Sequence, residues 1–199
     1  MGADPGRRRR AAALAGHAGD EAAARRALAD GAPAVRATAL GALERMRALT
    51  AADLAAALAD SSGTVRRRAC EALALHPGTE PPSLLPQLHD DDATVVEVAA
   101  WALGERQPPE PDAVDALAAV ATGHADALVR EAAVAALGAI GDDAGLPAVL
   151  AALDDKATVR RRAIIALAPF EGPAIDAALA RGREDRDWQV RQAAEDLSG

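Results

Sequence analysis

A valine returns at Val35, Val65, Val95, Val129, Val159 and Val190, at spacings of 30, 30, 34, 30 and 31 residues. The decapeptide TVRRRACEAL (Thr64 to Leu73) comes back as TVRRRAIIAL (Thr158 to Leu167), changed only where Cys70 and Glu71 become Ile164 and Ile165. A period near 30 marks one small unit stacked on copies of itself. Such a unit cannot bury its apolar face alone, so its neighbours in the stack must cover it.

The columns around each valine say what the unit is. Four residues on stand Ala39, Ala69, Ala99, Ala133, Ala163 and Ala194. Seven on stand Ala42, Ala72, Ala102, Ala136 and Ala166, and eight on Leu43, Leu73, Leu103, Leu137 and Leu167. Offsets of 0, 4, 7 and 8 share one face of an α-helix. Each copy therefore holds an amphipathic helix, named B. One residue after the valine, Arg36, Arg66, Arg130, Arg160 and Arg191 form a column that Val96 interrupts. Five residues before it stand Asp30, Asp60, Asp90, Asp154 and Asp185, with His124 in the fourth copy. Ser62, Asp92, Asp126 and Asp187 are suited to cap the B helices, and Pro33 to open one. Upstream of each loop lies a second apolar segment, helix A, as in TAADLAAALAD, where Thr50 and Asp53 form a capping-box pattern. GRRRRAAAL (Gly6 to Leu14) fits the B columns with an Arg where Ala belongs, and reads as a polar half-repeat over about residues 6–16. Asp196 and Ser198 give the last B helix a polar character that suits the other end of a stack.

Repeat four, VREAAVAALGAIGD (Val129 to Asp142), resembles the HEAT repeat in the short form found in phycobilisome lyases. The resemblance runs through nearly the whole chain from about residue 6. It implies an all-α fold: a right-handed α-solenoid of about six two-helix repeats, with an N-terminal half-repeat cap and the B helices on the concave side. It also implies that loop Asp and B-helix Arg bond between neighbouring repeats, a ladder from which Val96 and His124 depart. The expected organisation is one solenoid over 1–199. Its joint is expected at the proline-rich RQPPEPD, Arg106 to Asp112, beside the longest spacing. Pro86 should shorten or kink helix A of repeat three.

Composition narrows the function. Alanine dominates and suits helices; Trp101, Phe170 and Trp188 are the only aromatics. The Ala, Arg, Gly and Pro excess reads as the codon bias of a GC-rich, bacterial genome. The net charge of −8 includes +3 from Asp4 and Arg7 to Arg10, leaving −11 on the rest. An acidic body repels phosphate backbones, and base stacking needs aromatics, so nucleic acid is a poor partner. No apolar run reaches the 18 residues of a membrane span, and the basic start is too short-lived to be a signal peptide; the cytoplasm is expected. Cys70 sits in an apolar column with Leu40, Ala100, Val134 and Ile164 and reads as buried and inert.

His17, His76, His89 and His124 fall in or near turns without metal-ligand spacing. HEAT-fold di-iron hydroxylases carry His-Glu pairs, and this sequence has no His-Glu dipeptide. The acidic turn Asp90 to Asp92 lacks the Gly and Glu of a calcium loop. No nucleophilic set or phosphate loop stands out, so no cofactor, metal or catalytic residue is expected. The B-helix Arg column, matched to the loop Asp column, reads as internal pairing. What remains is the face opposite the core, two and six residues after each valine. It carries Trp101 and Ile165 among Arg67, Glu97, Glu131 and Arg161, with Arg68 and Arg162 one residue along. A mixed-charge groove with one large aromatic suits a protein or peptide. The function expected is a non-catalytic interaction scaffold or adaptor binding on that face. The alternatives are a lyase-like chaperone for a tetrapyrrole-protein and, further off, a nucleic-acid-binding HEAT-like protein.

Overall fold

A computed structural model describes residues 4–74 and 81–198. They hold twelve α-helices, three short 3₁₀ turns and no strand. The chain divides into two compact units, Met1–Ser83 and Leu84–Gly199.

The first unit comprises α1 (Pro5–Ala18), α2 (Glu21–Ala27), α3 (Pro33–Arg45), α4 (Ala51–Leu58) and α5 (Gly63–Ala74). The B-type helices α1, α3 and α5 pack in a row, with α2 behind α1 and α3, and α4 behind α5. Asp20 caps α2, and Thr50 and Asp53 close the capping box on α4. Pro33 opens α3.

The second unit begins with a 3₁₀ turn at Leu85–His89. It continues through α6 (Ala93–Glu105), α7 (Ala113–Gly123), α8 (Ala127–Ile140), α9 (Leu146–Ala151), α10 (Ala157–Ala166), α11 (Pro173–Arg183) and α12 (Trp188–Ser198). The B helices α6, α8, α10 and α12 form the row; α7 lies behind α8 and α11 behind α12. Pro86 allows helix A of repeat three only that single 3₁₀ turn.

The repeat columns are the core. All six valines are at most 2% exposed, and the six alanines four residues on are fully buried. Cys70 is buried as well. The row of B helices closes over very small residues. A Cβ added to Gly104 would lie 2.7 Å from Ala136 Cα, and one on Gly138 would lie 2.6 Å from Ala166 Cβ. Backbones this close leave no room for aromatic side chains, which accounts for their scarcity.

Two expectations need correction. In the half-repeat, Leu14 was placed on the core face, but it is 58% exposed, while Ala12, Ala15 and Gly16 are buried. Gly16 comes so near Ala42 that an added Cβ would lie 2.8 Å from its Cα, a gap no leucine fits. In the fifth repeat, Asp155 and not Asp154 takes the loop position, because the 3₁₀ turn Ala152–Asp154 extends helix A by a further half-turn. Asp154 is turned outward, 3.2 Å from Arg181.

The proline-rich stretch 106–112 lies inside the second unit and is tied down. Arg106 is buried and pairs with Glu110. The same Glu110 Oε2 accepts the backbone N–H of Leu84 at 3.1 Å.

Candidate functional site

The arginines one residue after the valines face the loops. Arg160 Nε and Nη2 donate to both carboxylate oxygens of Asp185 at 2.8 and 2.7 Å. Its Nη1 donates to the Asp155 carbonyl of its own loop at 2.8 Å. Arg130 repeats the arrangement with Asp155, at 2.6 Å to each oxygen, and with the His124 carbonyl at 2.7 Å. Arg36 repeats it with Asp60, at 2.7 and 2.6 Å, and with the Asp30 carbonyl at 2.9 Å. Arg8 supplies the first rung on Asp30. Each guanidinium thus joins its own loop to the next, in the bidentate geometry that favours Arg over Lys. Hydrogen bonding to these arginines holds the carboxyls of Asp30, Asp60, Asp155 and Asp185 below the usual carboxylate range. The partner arginines are pushed up by the same bonds. Of the basic start, Arg8 is in a rung while Arg7, Arg9 and Arg10 are exposed.

Where the ladder lapses, the two departures are of matching kind. Val96 is buried and apolar. His124 Nδ1 accepts the Asp126 N–H at 3.1 Å, the role that Asp185 Oδ1 plays for Asp187 at 2.8 Å. His124 keeps the loop shape without a carboxylate, and Val96 presents no guanidinium that would need one.

The exposed B-helix face of the second unit holds two grooves. The first, of about 390 Å³, lies between α6 and α8 and is lined by Glu97, Trp101, Leu128, Glu131 and, from α10, Arg162. Trp101 is 42% and Leu128 58% exposed, so the groove offers an indole and a leucine to solvent side by side. Arg162 reaches Glu131 at 3.3 Å. The second, of about 420 Å³, lies between α10 and α12 and includes Arg161, Ile165, Trp188, Gln192 and Asp196. Ile165 and Trp188 are exposed. Gln192 Nε2 donates to Asp196 Oδ1 at 2.7 Å.

Of the residues singled out from sequence, Glu97, Trp101, Glu131 and Arg162 come together in one groove, and Arg161 and Ile165 in the other. Arg67 and Arg68 belong to the first unit, where both pair with Glu71 and Arg68 also pairs with Glu44. Arg68 lines a pocket there with Gly41, His17 and Arg45. Sequence reasoning missed Leu128 and Trp188, which stand one and two residues before their valines. A signal existed: those columns otherwise hold Ala34, Thr64, Thr94, Thr158 and Gln189, and Pro33, Gly63, Ala93, Ala127 and Ala157.

His17 ends α1, His89 ends the first 3₁₀ turn and His124 follows α7; His76 lies outside the described residues. Among the described residues, no three His, Cys, Asp or Glu side chains gather as metal ligands would. Nor is any helix among them long and apolar enough to cross a membrane.

No curated protein matches the chain significantly. Among solved structures, the Escherichia coli protein YibA is similar over 94% of this chain and 73% of its own, with 20% identity and a TM-score of 0.71. An engineered protein is similar over 89% and 94%, with 20% identity and a TM-score of 0.59. Human deoxyhypusine hydroxylase, solved with glycerol, is similar over 96% and 77%, with 23% identity and a TM-score of 0.50. At these identities the likeness is one of fold. Residues 81–168 match the family model of HEAT repeats, and with the columns, the helix pairs and the rungs in place, the chain is a HEAT-like repeat protein of the α-solenoid class.

Proposed function

We propose that the protein is a non-catalytic interaction scaffold that binds a protein or peptide on the exposed B-helix face of its second unit. The observation that carries this reading is the first groove. Trp101 is 42% exposed beside an exposed Leu128, in a helical face whose inner side is packed with alanine. Water gains nothing from an indole and a leucine held open together, and a partner's apolar side chain would bury both. Tryptophan is among the residues that dominate binding energy when buried at an interface. Glu97, Glu131 and Arg162 around it supply a polar rim. The lining is made of groups that bind and orient, which supports recognition over chemistry.

The test is Trp101→Ala. As a binding anchor, its loss should abolish capture of the partner from the native cell while thermal stability stays within about 0.5 kcal/mol, as for surface changes generally. A variant that loses several kcal/mol of stability would make Trp101 a packing element. A stable variant that still captures its partner would remove the groove from the binding surface.

A further inference from the structure

The two grooves are the same place on the repeat, used twice. Each lies between consecutive B helices. Each takes an apolar residue six after one valine, Trp101 or Ile165, and another just before the next valine, Leu128 or Trp188. The intervening pair, α8 and α10, has Ala135 and Thr158 at the corresponding positions. The anchor points are therefore two B helices apart within one compact unit. Packed helices lie 8–10 Å apart, so the separation is about 16–20 Å.

The charges differ at the two ends. Beside Trp101, one turn back on α6, stands Glu97; beside Ile165, one turn back on α10, stands Arg161. Among the described residues, neither is in an ion pair, whereas Glu131 and Arg162 between them are closed on one another. The floor between the anchors holds Ala132 and Ala135. It offers methyl groups and a closed ion pair, with no amide side chain to satisfy a peptide backbone. A segment crossing it must satisfy its own backbone hydrogen bonds, as a helix does. On an α-helix, residues 11 apart lie on one face, three turns and about 16.5 Å from each other.

We infer that the two grooves form a two-point clamp for one amphipathic helix of a partner, with apolar anchors 11 residues apart, a basic residue near the anchor seated at Trp101 and Leu128, and an acidic residue near the one seated at Ile165 and Trp188. This rests on the binding reading above and specifies its ligand. Simultaneous seating makes the second contact intramolecular, which multiplies affinity without any new contact chemistry.

The molecule supplies its own reporters. Its two tryptophans stand one in each groove, and it has no tyrosine. The full chain is labelled with 5-fluorotryptophan, and its two fluorine resonances are assigned with Trp188→Phe. The probes are synthetic Ala/Gln helices carrying leucine anchors 4, 7 or 11 residues apart, or one anchor alone, with lysine near one anchor and glutamate near the other. The 11-residue peptide is expected to shift both resonances and to bind about 100-fold tighter than the single-anchor peptide. Glu97→Lys with Arg161→Glu should weaken it and favour the charge-reversed peptide. Equal affinity at all spacings, or a response at one tryptophan only, overturns the clamp. A single-anchor peptide that shifts Trp101 as tightly as the 11-residue one leaves the scaffold reading standing without the clamp. If no peptide moves Trp101, both readings fall.

Discussion

Gly138 decides how near α8 comes to α10. An added Cβ would sit 2.6 Å from that of Ala166, so the helices would have to part. Gly138→Ala should cost about 1–3 kcal/mol, the range of overpacked cores, despite the better helix propensity of alanine. Ala163→Leu, at a fully buried position on α10, should cost a similar amount. Chemical denaturation measures both, and a neutral result at either would mean that the helix turns that face elsewhere. These positions were legible because every copy repeats them. Leu128 and Trp188 were not, because they break a column instead of keeping it, and a search for shared residues passes over the one that differs. Trp101 was found by the opposite habit: it stands with Gly41, Glu71, Ala135, Ile165 and Asp196 in a column that no core would hold.

At the level of the helix pair, the rungs make stability depend on acid. The folded carboxyl of Asp185 lies below its unfolded value of about 3.9. A depressed carboxyl stabilises the fold in full above the unfolded value and loses that contribution as pH falls through the folded one. Asp185→Asn should therefore cost about 2–3 kcal/mol at neutral pH, as loss of hydrogen bonds to a charged group does. The gap to wild type should narrow below about pH 4. Urea melts across pH 3–7 would show this, and a gap constant with pH would mean that the carboxylate charge contributes nothing. The proline-rich segment depends on Glu110, which holds Arg106 and the Leu84 N–H together. Glu110→Ala should raise hydrogen exchange over 84–112 and leave α10 to α12 protected. Composition marks this stretch as a joint because prolines break helices. The tether rests on a buried arginine meeting one carboxylate, a tertiary pairing that no local pattern announces. The Arg–Asp ladder was readable, since two matched columns suggest pairing; its slip from Asp154 to Asp155 was not, since a 3₁₀ turn leaves no mark in the periodicity.

For the whole molecule, the sequence places one break at the longest spacing, whereas the compact units divide between Ser83 and Leu84. There Pro81, Pro82 and Pro86 reduce an A helix to a single 3₁₀ turn. Regular spacing of the valines continues through this point, so the period gives no sign of it. Val65 is 2% exposed within the first unit. Val65→Asp would leave an uncompensated buried charge and should cost about 3–5 kcal/mol. In an array stabilised by nearest neighbours, hydrogen exchange should report that loss in α3 to α5 while α8 and α10 keep their protection. Uniform loss along the chain would instead make the molecule a single cooperative block.

The rungs also set how the chain meets its own structure during synthesis. Arg8 reaches Asp30 across 22 residues, Arg36 reaches Asp60 across 24, and Arg130 and Arg160 reach their partners across 25. Contacts of such short reach close small loops, which favours rapid folding. A ribosome adding about 5–20 residues each second delivers a fresh repeat every few seconds. Each arriving carboxylate would find its arginine already emerged, on the helix made just before it.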